Sequence, residues 1–172
     1  MKIKRLKNTA IALMALAIFA VILVGNTKSD IQTAKEFGQI NFVYDGDTFR
    51  VRTDSGELKT LRIIGADSPE IQSQYRDEQC FGKEASKFAL ENFQGKRVEL
   101  IKDSITPDKD EYDRHLRYLK LETGEYISEI LIKNGYAKVY QGANFENKEF
   151  FIELENQARQ SNLGLWAQCE VI

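Results

Sequence analysis

Apolar and polar positions divide this chain into three stretches. From Ala10 to Val24 the residues are apolar without interruption, residues 26–37 are polar, and from Gln39 onward apolar positions recur with regular spacing. Ile40, Phe42 and Tyr44, then Phe49 and Val51, alternate with smaller or polar residues on either side of Asp45-Gly46-Asp47. Period-two alternation puts one face of an extended chain against a core, so this predicts strands with a bend between them. Thr53-Asp54-Ser55-Gly56 reads as a turn and 58–66 as the next strand, whereas 67–81 shows no periodicity and has Pro69 near its start. A connection that long in a compact domain is usually functional or mobile. Helical spacing follows at 83–93, where Ala85, Phe88, Ala89 and Phe93 form one stripe closed by Gly95. Strands are predicted at 97–102 and 116–121 across a charged segment, 103–115. A second helix (126–133) stops at Asn134-Gly135, a short strand occupies 137–140, and a third helix (148–160) turns Phe151, Leu154 and Ala158 inward. Leu163-Gly164-Leu165-Trp166 should pack the chain's end onto the body. Strands first with helices interspersed later predict an α+β domain.

The uncharged run changes the picture of where this domain works. Lys2, Lys4, Arg5 and Lys7 precede it without an acid, the layout of an export signal. As a helix, Ala10–Val24 would span about 22 Å, short of a hydrocarbon core of about 30 Å. Residues 1–25 therefore read as a cleaved signal peptide or as an uncleaved inner-membrane anchor, 26–37 as a flexible tether, and 38–172 as the working domain. Either way that domain is expected outside the cytoplasm: secreted, periplasmic, or anchored facing outward.

The whole chain carries a formal charge of −2, and without the leader's four cations the remainder stands at −6. A long-range positive field for nucleic acid is thus excluded, and any such contact must be local. The 42% apolar fraction, with 10 Phe and 7 Tyr, suffices for a core, and only 2 prolines argue against a disordered chain. With 2 cysteines, outside any C-x-x-C pair, and 1 histidine, a zinc site is poorly supported. In an oxidising compartment Cys80 and Cys169 can bridge; two buried thiols are the other reading.

Three charged clusters hold candidate chemistry. In Asp45-Gly46-Asp47-Thr48 two carboxylates two residues apart would share one face of an extended chain and repel without a cation, although Asp-Gly is also an ordinary turn. Arg62, inside an apolar strand, is costly unless it meets an anion, and Asp67-Ser68-Pro69-Glu70 follows at the strand's end. Asp110-Glu111-Tyr112-Asp113-Arg114, alone, is a solvated charge run with an aromatic in it.

Taken in order, Asp-Gly-Asp-Thr, then Arg-(four residues)-Asp-Ser-Pro-Glu, then Asp-x-Tyr-x-Arg, the chain resembles the thermonuclease (staphylococcal nuclease) family from Ile40 to Gln168, with Gly82-Lys-Glu-Ala85 and Gly164-Leu-Trp166 as further landmarks. The resemblance implies an OB-fold five-stranded β-barrel with three α-helices and a monomeric, Ca²⁺-dependent endonuclease acting on DNA and RNA. It implies Asp47, Asp67 and the Ser68 carbonyl as direct Ca²⁺ ligands, with Asp45 and Glu70 reaching the ion through water. It further implies Glu70 as general base, Arg62 and Arg114 on the scissile phosphate, and Tyr112, Tyr140 and the loop residue Arg76 as substrate contacts. Cleavage of the P–O5′ bond would leave 3′-phosphate and 5′-hydroxyl ends. The chain departs from the family pattern in Glu111, where lysine is common, and in Asp113, where glycine is. Both add negative charge beside the substrate. A Cys80–Cys169 bridge would tether the 67–81 loop to the C-terminus. Two other readings are a catalytically silent OB-fold module binding single strands and a calcium-stabilised interaction domain; the first should have lost motif residues, and the second leaves Arg62 unexplained.

Overall fold

The computed structural model describes residues 35–74 and 77–170. The expected leader, most of the expected tether and the candidate Arg76 lie outside the described residues. Among them, no helix is long and apolar enough to cross a membrane.

Five strands close into a barrel. β1 (Glu36–Val43), β2 (Thr48–Thr53) and β3 (Leu58–Ile63) form an antiparallel meander; β3 runs parallel to β6 (His115–Leu121), and β5 (Arg97–Ile101) closes the ring between β6 and β1. β1 begins inside the segment read as a tether. Inward-facing Ile40, Phe49, Val51, Leu61 and Leu119 are all buried, and each fully buried large side chain stabilises the fold by about 1.5–3 kcal/mol. This is the expected α+β barrel of OB-fold type.

Two sequence expectations shift for identifiable reasons. The β1–β2 register slips between Ile40 and Phe42, a bulge that puts Val43 inside and leaves Phe42 44% and Tyr44 40% exposed. The strand predicted over 58–66 breaks after Ile63 because Gly65 adopts φ 87°; Ala66 and Asp67 form a separate short strand, β4, paired with β7 (Lys138–Val139). A Cβ at Gly65 would come within 2.6 Å of the Phe151 ring, so only glycine fits this bend.

The helices cap the barrel. α1 (Gly82–Phe93) buries Ala85, Ala89 and Phe93 at four-residue spacing. α2 (Ile127–Lys133) buries Ile127, Leu131 and Ile132, and α3 (Lys148–Gln160) buries Phe151 and Ala158. A further helical turn, α4 (Leu165–Gln168), follows the three expected helices. Its Trp166 packs with Phe81, Ala158 and Leu165, under the Arg159 guanidinium at 3.8 Å. Just beyond it, Cys169 forms a disulfide with Cys80, with Cα atoms 5.9 Å apart. Closing 89 residues of chain in this way contributes at most about 4–5 kcal/mol.

Candidate active site

β2 and β3 set the floor of the site. Thr48 and Arg62 face each other across these strands, so the turn before β2 lies against the end of β3. Asp45 builds that turn by accepting the N–H groups of Asp47 (3.0 Å) and Thr48 (2.7 Å). Gly46 lets it press onto the 67–70 segment, since a Cβ there would lie 2.5 Å from the Ser68 Cβ. Asp47 is completely buried. Its Oδ2 accepts the Ser68 N–H at 2.6 Å, while its Oδ1 takes the Thr48 hydroxyl at 3.2 Å and the Arg62 Nη1.

Arg62 is the hinge of the arrangement. Its other nitrogen, Nη2, donates to Asp67 Oδ1 at 2.6 Å, so one guanidinium bridges two carboxylates from different elements. The cation expected to be costly in an apolar strand thus has two anionic partners. Burial pulls its pKa below the ordinary value, against the charges of Asp67 and Asp45. Burial also raises Asp45, against the charge of Arg62 and the bonds from Thr48.

Two loops bring the remaining candidates to the floor. In the 67–81 loop, Gln79 brackets Glu70: its N–H donates to the Glu70 carbonyl at 2.9 Å, and its side-chain oxygen accepts the Glu70 N–H at 3.0 Å. The next residue is the disulfide-bonded Cys80. In the 103–115 segment, Asp110 accepts the N–H groups of Tyr112 (3.0 Å) and Arg114 (2.9 Å) and the Arg114 Nε (2.7 Å). Burial opposes ionisation of Asp110, yet these bonds outweigh it and lower its pKa. Arg114 reaches the Thr48 hydroxyl at 3.4 Å and lies 5.2 Å from the exposed Tyr112 ring. Arg62, Asp67, Glu70, Tyr112, Arg114 and Tyr140 line one open cleft of about 540 Å³. Of the two acids that depart from the family pattern, Asp113 pairs with Lys109 at 2.7 Å, and only Glu111 lines the cleft.

Of the residues that organise the site, Gln79 and Arg117 were not singled out in the sequence, and Asp110 appeared only as a member of its charge run. Asp110 had a signal: a short acid two and four residues before the N–H groups it accepts is a turn former. Gln79 had none, because it acts across nine residues of aperiodic loop. Arg117, 2% exposed in β6, looks like an ordinary strand residue, yet it donates to the Asp108 carboxylate at 2.8 Å and to the Leu116 carbonyl at 2.6 Å.

The donor set suits a hard cation. Asp47 and Asp67 already converge on one positive group, and oxygen carboxylates without His or Cys match Ca²⁺ preference. Among the described residues no three acidic, His or Cys side chains converge. An ion held here would draw the rest of its shell from main-chain oxygen and water.

Known proteins are similar to this chain over most of its length. The family profile described as Staphylococcal nuclease homologue matches residues 60–168. An uncharacterised protein of Methanocaldococcus jannaschii is 32% identical over 149 residues, 76% of this chain and 71% of its own length. A thermonuclease of Staphylococcus hyicus is 34% identical over 126 residues, 73% of this chain and 72% of its own. A thermonuclease of Staphylococcus intermedius is 29% identical over 166 residues, 92% of this chain and 96% of its own.

Proposed function

The chain belongs to the staphylococcal nuclease homologues, and on that premise we propose that it is an exported, Ca²⁺-dependent endonuclease that hydrolyses phosphodiester bonds of DNA or RNA. The observation that carries the reading is the bridge from Arg62 to Asp47 and Asp67 on the rim of the cleft that also holds Arg114. A buried carboxylate, Asp47, and an exposed one, Asp67, with two guanidiniums beside them make a place for a phosphate and a hard cation together.

In this reading Asp47, Asp67 and the Ser68 carbonyl would hold Ca²⁺, with Asp45 and Glu70 in support. Bound there, the ion would supply Lewis-acid neutralisation of the phosphate charge. Glu70, whose backbone Gln79 brackets, takes the proton from the attacking water. Arg62 and Arg114 bind the non-bridging oxygens and stabilise the charge that builds there as the P–O5′ bond breaks. A proton from solvent reaches the departing O5′, and the products are a 3′-phosphate and a 5′-hydroxyl. Tyr112 and Tyr140, both exposed in the cleft, contact the nucleotides, and the loop residue Arg76 is assigned to the substrate as well. On the leader reading the protein works outside the cytoplasm, secreted, periplasmic or anchored, and it is taken to act as a monomer.

End-group analysis of the cleaved strand tests the chemistry. Fragments should carry 3′-phosphates and resist 3′-end labelling until a phosphatase removes them. Fragments with 5′-phosphates would exclude this mechanism.

A further inference from the structure

We propose that Phe42, Tyr44 and Arg50 form a second nucleic-acid contact: a stacking subsite for a base outside the two nucleotides joined by the scissile phosphate. The proposal rests on the nuclease reading for the position of that phosphate.

The bulge in β1 is the starting point. Simple alternation from Ile40 would turn Phe42 and Tyr44 into the barrel, but the slipped register turns both rings outward, 44% and 40% exposed. Bulges re-aim side chains and recur beside active sites. The two rings meet edge to face, with centroids 4.9 Å apart and planes at 71°. The Arg50 guanidinium lies 5.3 Å from the Phe42 centroid and 5.9 Å from that of Tyr44. Among the described residues Arg50 has no carboxylate in ion-pair reach, and its Nε has no hydrogen-bond partner. Its charge is therefore not committed to an acid among the described residues.

The location is as informative as the chemistry. Arg50 and Thr48 alternate on the outer face of β2, so they stand about 7 Å apart along the strand. Thr48 faces Arg62 across the sheet and receives Arg114 at 3.4 Å. Tyr44 donates its N–H to the Thr48 carbonyl at 2.9 Å. A strand whose phosphate sits at Arg62 and Arg114 can thus continue onto the aromatic pair. Aromatic faces joined to a guanidinium accept any base, because every base has a π-face. A cationic aromatic patch on a chain of net −2 suits a polyanion with flat rings.

The test compares the full chain with its Phe42→Ala/Tyr44→Ala variant on a ten-nucleotide oligothymidylate and on the dinucleotide dTpdT. The ratio of decamer to dinucleotide kcat/KM should fall about tenfold or more. Arg50→Gln should lower it less, and Phe42→Trp/Tyr44→Trp should restore it. A ratio within twofold of wild type in the alanine variant overturns the proposal, as does a tryptophan variant no better than alanine. A wild type that cleaves neither substrate sinks the nuclease reading alone. Fluorescence anisotropy with the labelled decamer then decides: weaker binding by the alanine variant upholds the subsite, and equal binding, or none by wild type, removes it.

Discussion

The two loops that complete the cleft are held in opposite ways. The 67–81 loop, which carries Asp67 and Glu70, is tied covalently through Cys80 to Cys169 and internally by the Gln79 bracket. The 103–115 segment, which carries Tyr112 and Arg114, has no covalent tie; charged and polar groups buried against β6 hold it. Asp103 accepts four hydrogen bonds, from Ile105, Thr106, the Tyr118 hydroxyl and Glu146. Asp108 pairs with the buried Arg117 and with Lys102 at 2.7 Å. Loops cannot bury enough apolar surface to order themselves, so each needs another device. One device answers to reductant and the other to acid, although both loops serve one cleft.

Each loop contributes a functional group whose loss should be the largest effect. Glu70→Gln is expected to lower turnover by about 10²–10⁴-fold, and Arg114→Ala by about 10²–10³-fold, with the melting curve little moved. Steady-state cleavage assays check both, and full activity in either variant would remove that loop from the chemistry.

The tethers come next. Cys80→Ala/Cys169→Ala should cost at most about 4–5 kcal/mol in denaturant unfolding. In hydrogen exchange it should expose the Gln79 amide while leaving the Arg114 amide protected. Arg117→Met should cost about 2 kcal/mol, because the buried guanidinium's hydrogen bonds to Asp108 and to the Leu116 carbonyl are lost, and should reverse that exchange pattern. If either variant loosened both loops equally, the two devices would not be separate.

Smaller effects refine the contrast. Tyr118→Phe takes one of four donors from Asp103 and should cost about 1.5 kcal/mol by the same unfolding measurement. Acid should act in the same direction. The hydrogen bond from Lys102, helped by the charge of Arg117, holds Asp108 at about 2 against an ordinary 3.8. Burial opposes ionisation of Asp103, but its four hydrogen bonds leave its pKa lowered as well. A carboxylate with a depressed folded pKa contributes stability above its unfolded value and loses it as pH falls. Stability at the 103–115 segment should therefore be complete above about pH 4 and fall toward pH 2, as read by exchange at Arg114 during acid titration.

The same contrast explains what could be read from the sequence. The barrel was legible because burial imposes period two: Phe49, Val51 and Leu61 appear as core positions without any structure. Arg62 was legible because it lies on a strand, where spacing fixes the facing side, and Asp45 and Asp47 because an Asp-Gly-Asp bend between two strands marks a turn that gathers carboxylates. Cys80 and Cys169 could be paired as the chain's two cysteines, with free thiols as the alternative, and the structure joins them. Gln79 and Arg117 were hidden, since each acts through contacts that neither period nor local spacing encodes. The outward turn of Phe42 and Tyr44 was hidden too, because one bulged residue inverts the alternation on which the reading rests.

The most direct measurement is cleavage of single-stranded DNA and of RNA by the purified chain, with Ca²⁺ and with a chelator in its place. The account predicts fragmentation of at least one polymer with Ca²⁺ and none with chelator. Intact polymers in both conditions, or equal cleavage in both, would contradict it.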